Sequence, residues 1–231
     1  WQWCLSLALL TFMVWLAQRV HRAWRSISIP VVVGTSGFAG MVCDLLVVFV
    51  FQAFYGYVYQ RVGLIIAAFM AGLALGGWAM SRHLSGRATA HGLPIARDRR
   101  RALMQSETAL IAYWLALPLL LALLSSSLTT LLVTPVLLLL NAFEGWLVGL
   151  QFPLSSQLHL SARSEPGYTA GMLYAADLTG AFLGAVAVGI ALLPVLGVTG
   201  TCLFVVTLKA CSLALFVTTP DLQASQMPGM G

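Results

Sequence analysis

The chain has 231 residues, 60% hydrophobic and 8% charged, with a mean hydropathy of +0.92. Soluble domains carry roughly 25% charged residues, so a water-soluble domain is excluded and an all-α polytopic membrane bundle is expected. The formal charge of +5 sits mostly between apolar runs, as membrane topology requires, and does not form a nucleic-acid surface.

In chain order, seven apolar runs read as spans: 3–18, 30–56, 62–80, 103–124, 129–150, 170–194 and 199–218. The first is the shortest. It lacks a leading basic region and is followed by Arg19, His21, Arg22 and Arg25, so it reads as a spanning helix and not as a signal peptide. Trp1 stands where an initiator Met would, so a preceding segment is expected. The connection after the third run carries Arg82, Arg87, Arg97, Arg99, Arg100 and Arg101 against the single acid Asp98. Arg163 follows the fifth run, while the other side holds only Arg61. The positive-inside bias therefore places the N-terminus outside and the C-terminus in the cytoplasm, with the bacterial inner membrane as the expected location. Tyr55, Tyr57 and Tyr59 fall at the outer end of the second run, where interfacial aromatics are expected. Pro30 opens that run and Pro194 closes the sixth, while Pro118 and Pro135 predict kinks within spans. Residues 219–231 read as a flexible cytoplasmic tail.

Ionisable groups within spans are costly, at roughly 2.5–3.5 kcal/mol each on insertion scales, and must pair, protonate or line water. Here they are Asp44, Glu107, Glu144, Asp177 and Lys209. Gln52 and Tyr55 follow Asp44 at about 80° and 20° around the helix, a loose stripe on one face. Asn141, Glu144 and Gln151 share a face of the fifth run. If their helices are neighbours, Lys209 pairs with Asp177 or Asp44. Two readings stay open: a polar cavity for a cation or proton relay, or inter-helix bonds that fix register.

Small residues four apart let helices approach closely in lipid. Ala68, Gly72 and Gly76 do this in the third run, Gly37 and Gly40 serve the second, and Ala176, Gly180 and Gly184 serve the sixth. The stretch from Tyr174 to Leu196, with its lone acid Asp177, reads as the centre of the bundle with the acid pointing inward. Cys4, Cys43, Cys202 and Cys211 lie in apolar runs without CxxC spacing, so free buried thiols are expected and no metal site. His21, His83, His91 and His159 lie in connections or at span ends, which leaves no axial pair for a haem, and no other cofactor is expected. No Walker loop, HExxH or GxSxG occurs, and GLALGG lies within an apolar run without a preceding strand.

Three stretches carry a family resemblance: residues 36–82 with AAFMAGLALGGW, residues 147–158 with the pair Phe152–Pro153, and residues 170–201 with YAADLTGAFLGA. Together they resemble the multi-pass membrane portion of membrane-bound spermidine synthase-like proteins, which are major-facilitator-like domains fused to a polyamine aminopropyltransferase. The resemblance implies half of a major-facilitator-like unit over residues 30–218, with residues 1–29 adding an extra helix and a basic cytoplasmic connection. Asp44 and Glu107 match acids of the family pattern, and Asp177 falls where the family has Asn or Asp. Gly77–Arg87 is similar to the basic loop of major facilitators but lacks the Asp before its Arg. The strand–GxGxG–helix unit of the catalytic domain does not occur in this sequence. A stand-alone membrane module and a piece of a longer fused chain both remain open.

Three functions follow. The first is a non-catalytic anchor or accessory subunit of a larger membrane complex, with lipid and other membrane subunits as partners. The second is a transporter of a cationic small molecule such as a polyamine, which requires a homodimer to complete two lobes. The third is the membrane part of an aminopropyltransferase whose catalytic domain lies outside this chain.

Overall fold

The computed structural model describes residues 28–56, 61–88, 95–127, 130–160 and 166–218. The expected first span, Tyr57, Tyr59 and the expected tail lie outside them. The described residues are helical: α1 Ser28–Tyr55, α2 Val62–Ala88, α3 Ile95–Ser127, α4 Thr130–Leu160, α5 Pro166–Ala187 with a π-helical continuation Val188–Leu196, and α6 Gly197–Thr218.

Five uninterrupted helical stretches among the described residues are long and apolar enough to cross a membrane, not seven. Three of the expected seven account for the difference. The first lies outside the described residues, and the last two form one stretch, Pro166–Thr218. That stretch is 53 residues long and would measure about 80 Å if straight, against a hydrocarbon core of about 30 Å. It folds back instead, because Leu173 and Phe216 share one apolar cluster. The reversal is at Gly197, whose φ of 66° suits a residue without a Cβ. Pro194 does not close the helix. It lies within the π-helical turn, where its missing N–H upsets the ordinary bonding register.

The helices also outrun the apolar runs. α2 continues to Ala88 and α3 starts at Ile95, so most of the expected basic loop is helical. Arg and Ala are good helix formers, and charged ends extend these rods past the apolar stretch. α4 continues through Pro153 to Leu160 rather than ending at 150.

Two helix pairs are packed backbone to backbone, each through glycine. On α5, a Cβ at Gly180 would lie 1.8 Å from the Gly34 carbonyl oxygen of α1, and one at Gly184 would lie 2.8 Å from the Phe38 oxygen. Between α2 and α4, a Cβ at Gly72 would meet the Ala142 oxygen at 1.9 Å and one at Gly76 the Trp146 oxygen at 2.2 Å. From the other side, Gly145 and Gly149 of α4 leave the same room for the Phe69 and Leu73 carbonyls. α3 packs on α4 and α6, and α1 also meets α4 and α6. The main apolar cluster includes Leu46, Phe51, Trp114, Leu137 and Val205, one or more from each of these four helices.

The centre of the bundle is α1 and not the Tyr174–Leu196 stretch. In the most apolar window of α1, 61% of residues are buried, against 17% for Pro166–Thr218. The small residues of α5 serve one neighbour, and large side chains such as Leu178, Phe182 and Ile190 stay on the outer surface.

Candidate functional site

Four helices meet at one buried ion pair. Lys209 Nζ of α6 lies 2.5 Å from Glu107 Oε1 of α3, and both side chains are fully buried. The same ammonium donates to Ser36 Oγ of α1 at 2.8 Å. Gln151 Nε2 of α4 donates to Glu107 Oε1 at 2.8 Å, and the Ser36 hydroxyl is positioned to donate to Gln151 Oε1 or to the Val32 carbonyl. One positive and one negative charge are thus matched within a ring of hydrogen bonds. Removing such charges from water costs several kcal/mol per ion. The pair therefore specifies which helices meet, and at what register, more than it adds net stability.

Pairing of Lys209 with Asp177 or Asp44 does not occur, since Glu107 takes the ammonium. Asp44 instead accepts from Asn141 Nδ2 at 2.7 Å, and that amide also donates to the Ile65 carbonyl at 2.9 Å, which joins α1, α4 and α2. Glu144 accepts from Trp114 Nε1 at 3.0 Å, tying α4 to α3. Beside it, Tyr113 donates to the Leu140 carbonyl at 3.2 Å, and the Cys43 thiol lies 3.6 Å from the Tyr113 hydroxyl. Asn141, Glu144 and Gln151 lie on the buried face of α4, and Ser155 and His159 continue that face toward the helix end. Ser155 and His159 extend a stripe whose i, i+4 spacing was available in the sequence.

Gln52 does not belong to this constellation. It is exposed on α1, because a rotation of 80° from Asp44 carries it off the buried face. Tyr55 bonds Thr134 Oγ1 at 2.9 Å, and the Arg61 guanidinium stacks over its ring at 4.8 Å. Asp177 also stands apart. It is half-buried at the α1–α5 contact, where a Cβ on Gly37 would lie 2.5 Å from its Oδ1. Among the described residues its carboxylate has neither a hydrogen bond nor an ion pair. It borders a cleft of about 300 Å³ at the junction of the two glycine-packed pairs, with Ser36 and Gln151 also in its lining.

Cys43, Cys202 and Cys211 are free thiols, and Cys4 lies outside the described residues. Among the described residues no three His, Cys, Asp or Glu side chains converge on a metal position. Sequence reasoning did not single out Ser36 or Trp114. A Ser in an apolar span and a Trp N–H both require partners when buried, which is the signal that points to them. No family model, no curated protein and no solved structure matches the chain.

Proposed function

We propose that this chain is a non-catalytic integral membrane module of the spermidine synthase-like kind, serving as an anchor or assembly subunit of a larger membrane complex. The observation that carries this reading is the pairing of buried polar groups from one helix to the next. Lys209 is matched by Glu107, Asp44 by Asn141 and Glu144 by Trp114, each across a helix–helix contact. Such bonds hold a bundle in register, and each acid is engaged through one oxygen, while Glu107 Oε2 and Glu144 Oε2 are buried without a hydrogen-bond partner among the described residues. Large apolar side chains on the outside, including Leu75, Trp78, Leu119 and Leu139, suit lipid or the helices of a partner. The basic ends of α2 and α3 favour the cytoplasmic face by the positive-inside rule, with the C-terminus on that same face. Half of a major-facilitator-like unit in a bacterial inner membrane fits this arrangement.

The test is gentle solubilisation from native membrane followed by native mass spectrometry. Fixed additional subunits on this 24.8 kDa chain support the module. A lone monomer or a simple dimer counts against it.

One observation favours the second reading, transport of a small cation: Asp177 borders a cleft without a partner among the described residues. Proteoliposome uptake that is lost in Asp177→Asn supports transport, and absence of uptake by the unsubstituted chain rules it out.

A further inference from the structure

The cleft between the α1–α5 pair and the α2–α4 pair has a composition that selects a ligand class. Its walls are largely apolar, with Val33, Leu73, Val148 and Phe152 among them. Val33 and Val148 are buried, while Phe152 is 39% exposed and Ser81 is also exposed, so the cleft runs from the surface into the bundle. At about 300 Å³ it lies at the small end of ligand-binding cavities.

Three acceptors stand in or border this space. The first is the Asp177 carboxylate, without a hydrogen-bond or ion-pair partner among the described residues. The second is the Gly149 carbonyl. Gly149 and Pro153 both line the cleft inside α4, and Pro153 lacks the N–H that a helix would direct at the oxygen four residues earlier. The third is the Ser81 hydroxyl. Two other polar lining residues, Ser36 and Gln151, are already engaged by the Lys209–Glu107 pair. That pair is internally neutral, and among the described residues Asp177 is the one ionisable side chain that lines the cleft.

Ca²⁺ takes six to eight oxygen ligands, which one carboxylate among apolar walls does not supply. A primary ammonium has three N–H donors and one positive charge, and an alkyl stem attached to it suits apolar walls. We propose that this cleft binds a primary alkylammonium group, with Asp177 as counter-ion and the freed Gly149 carbonyl as a second acceptor. That group is carried either by a free amine or by the ethanolamine headgroup of a membrane lipid. The site rests on the same Asp177 cleft as the transport reading and names its ligand class, but it is independent of the module reading, and binding is tested apart from uptake.

The experiment uses the full chain in nanodiscs of phosphatidylcholine, with n-butylammonium titrated by calorimetry. In parallel, native mass spectrometry compares lipid retention in nanodiscs with and without phosphatidylethanolamine. Saturable butylammonium binding identifies a free-amine site, and selective retention of phosphatidylethanolamine identifies a headgroup site. In either case Asp177→Asn is expected to weaken binding at least tenfold, while Asp98→Asn at the exposed start of α3 leaves it unchanged. Tetramethylammonium, with the charge but no N–H, is expected to bind at least tenfold more weakly than butylammonium. Pro153→Ala, which returns an N–H to the Gly149 carbonyl, is expected to weaken binding several-fold and decides the matter if Asp177→Asn does not fold. The proposal is overturned if neither amine source is held, or if Asp177→Asn, or Pro153→Ala in its place, binds as the unsubstituted chain does.

Discussion

Replacing Gly180 by alanine probes the tightest helix contact in the bundle. The added methyl would sit 1.8 Å from the Gly34 carbonyl oxygen, 2.7 Å from its carbon and 3.0 Å from its Cα. All three are backbone atoms of α1, so no side chain can rotate away. Moving the closest contact from 1.8 Å to even 3.0 Å requires the helices to separate by at least about 1.2 Å. A radial gap of 0.5–1 Å already forfeits a quarter to a half of each dispersion well. Overpacking costs about 1–3 kcal/mol, and a backbone-to-backbone clash belongs at the upper end, near 3 kcal/mol. The control lies on the same helix: a Cβ on Gly171 meets nothing within 4 Å, so Gly171→Ala is expected to be neutral or to stabilise by up to about 1 kcal/mol through helix propensity. The assay is reversible unfolding in mixed micelles, followed by circular dichroism. If Gly180→Ala and Gly171→Ala unfold together, the close approach of α1 and α5 is wrong and the argument for glycine at this seam fails.

Lys209→Met leaves Glu107 buried without its ammonium and is expected to destabilise the fold by about 3–5 kcal/mol, whereas Lys209→Met with Glu107→Gln recovers most of that loss; equal midpoints for the single and double variants would contradict the ion-pair account. Asn141→Leu removes the donor to both Asp44 and the Ile65 carbonyl, and its expected cost of about 2–4 kcal/mol is measured in the same unfolding assay. The Arg100 guanidinium donates to the Phe216 and Val217 carbonyls at the end of α6 and stacks on the Phe216 ring. Arg100→Ala should therefore cost about 1 kcal/mol and make the end of α6 more susceptible to limited proteolysis, while Arg82→Ala should not change its cleavage.

Composition alone settled the class of this protein. A chain with 8% charge and 60% hydrophobic residues has no water-soluble core to build, and in lipid every backbone group must be bonded within a helix or a closed barrel. The apolar runs located α1 to α6, because a span needs about 20 apolar positions, but not their ends, which the helices overrun by up to ten residues at Leu160. Polar residues in those runs marked Asp44, Glu107, Asn141, Glu144, Gln151 and Lys209, since their cost in lipid does not depend on where they end up. Tertiary structure decided the partners. Lys209 reaches Glu107 because α6 folds back at Gly197 onto α3; the break between the runs 170–194 and 199–218 placed the reversal in the sequence, but not the helix that α6 packs on. It also decided that α1 is the central helix and α5 is not, because glycine spacing shows that a helix has a close neighbour without showing how many sides are covered. Gln52 and Asp177 are as polar in sequence as Gln151 and Asp44. Rotation about the helix axis left Gln52 exposed, and the meeting of two glycine-packed pairs put Asp177 at the edge of a cleft. Neither angle nor neighbour is written in residue type; both follow from packing six helices around one another.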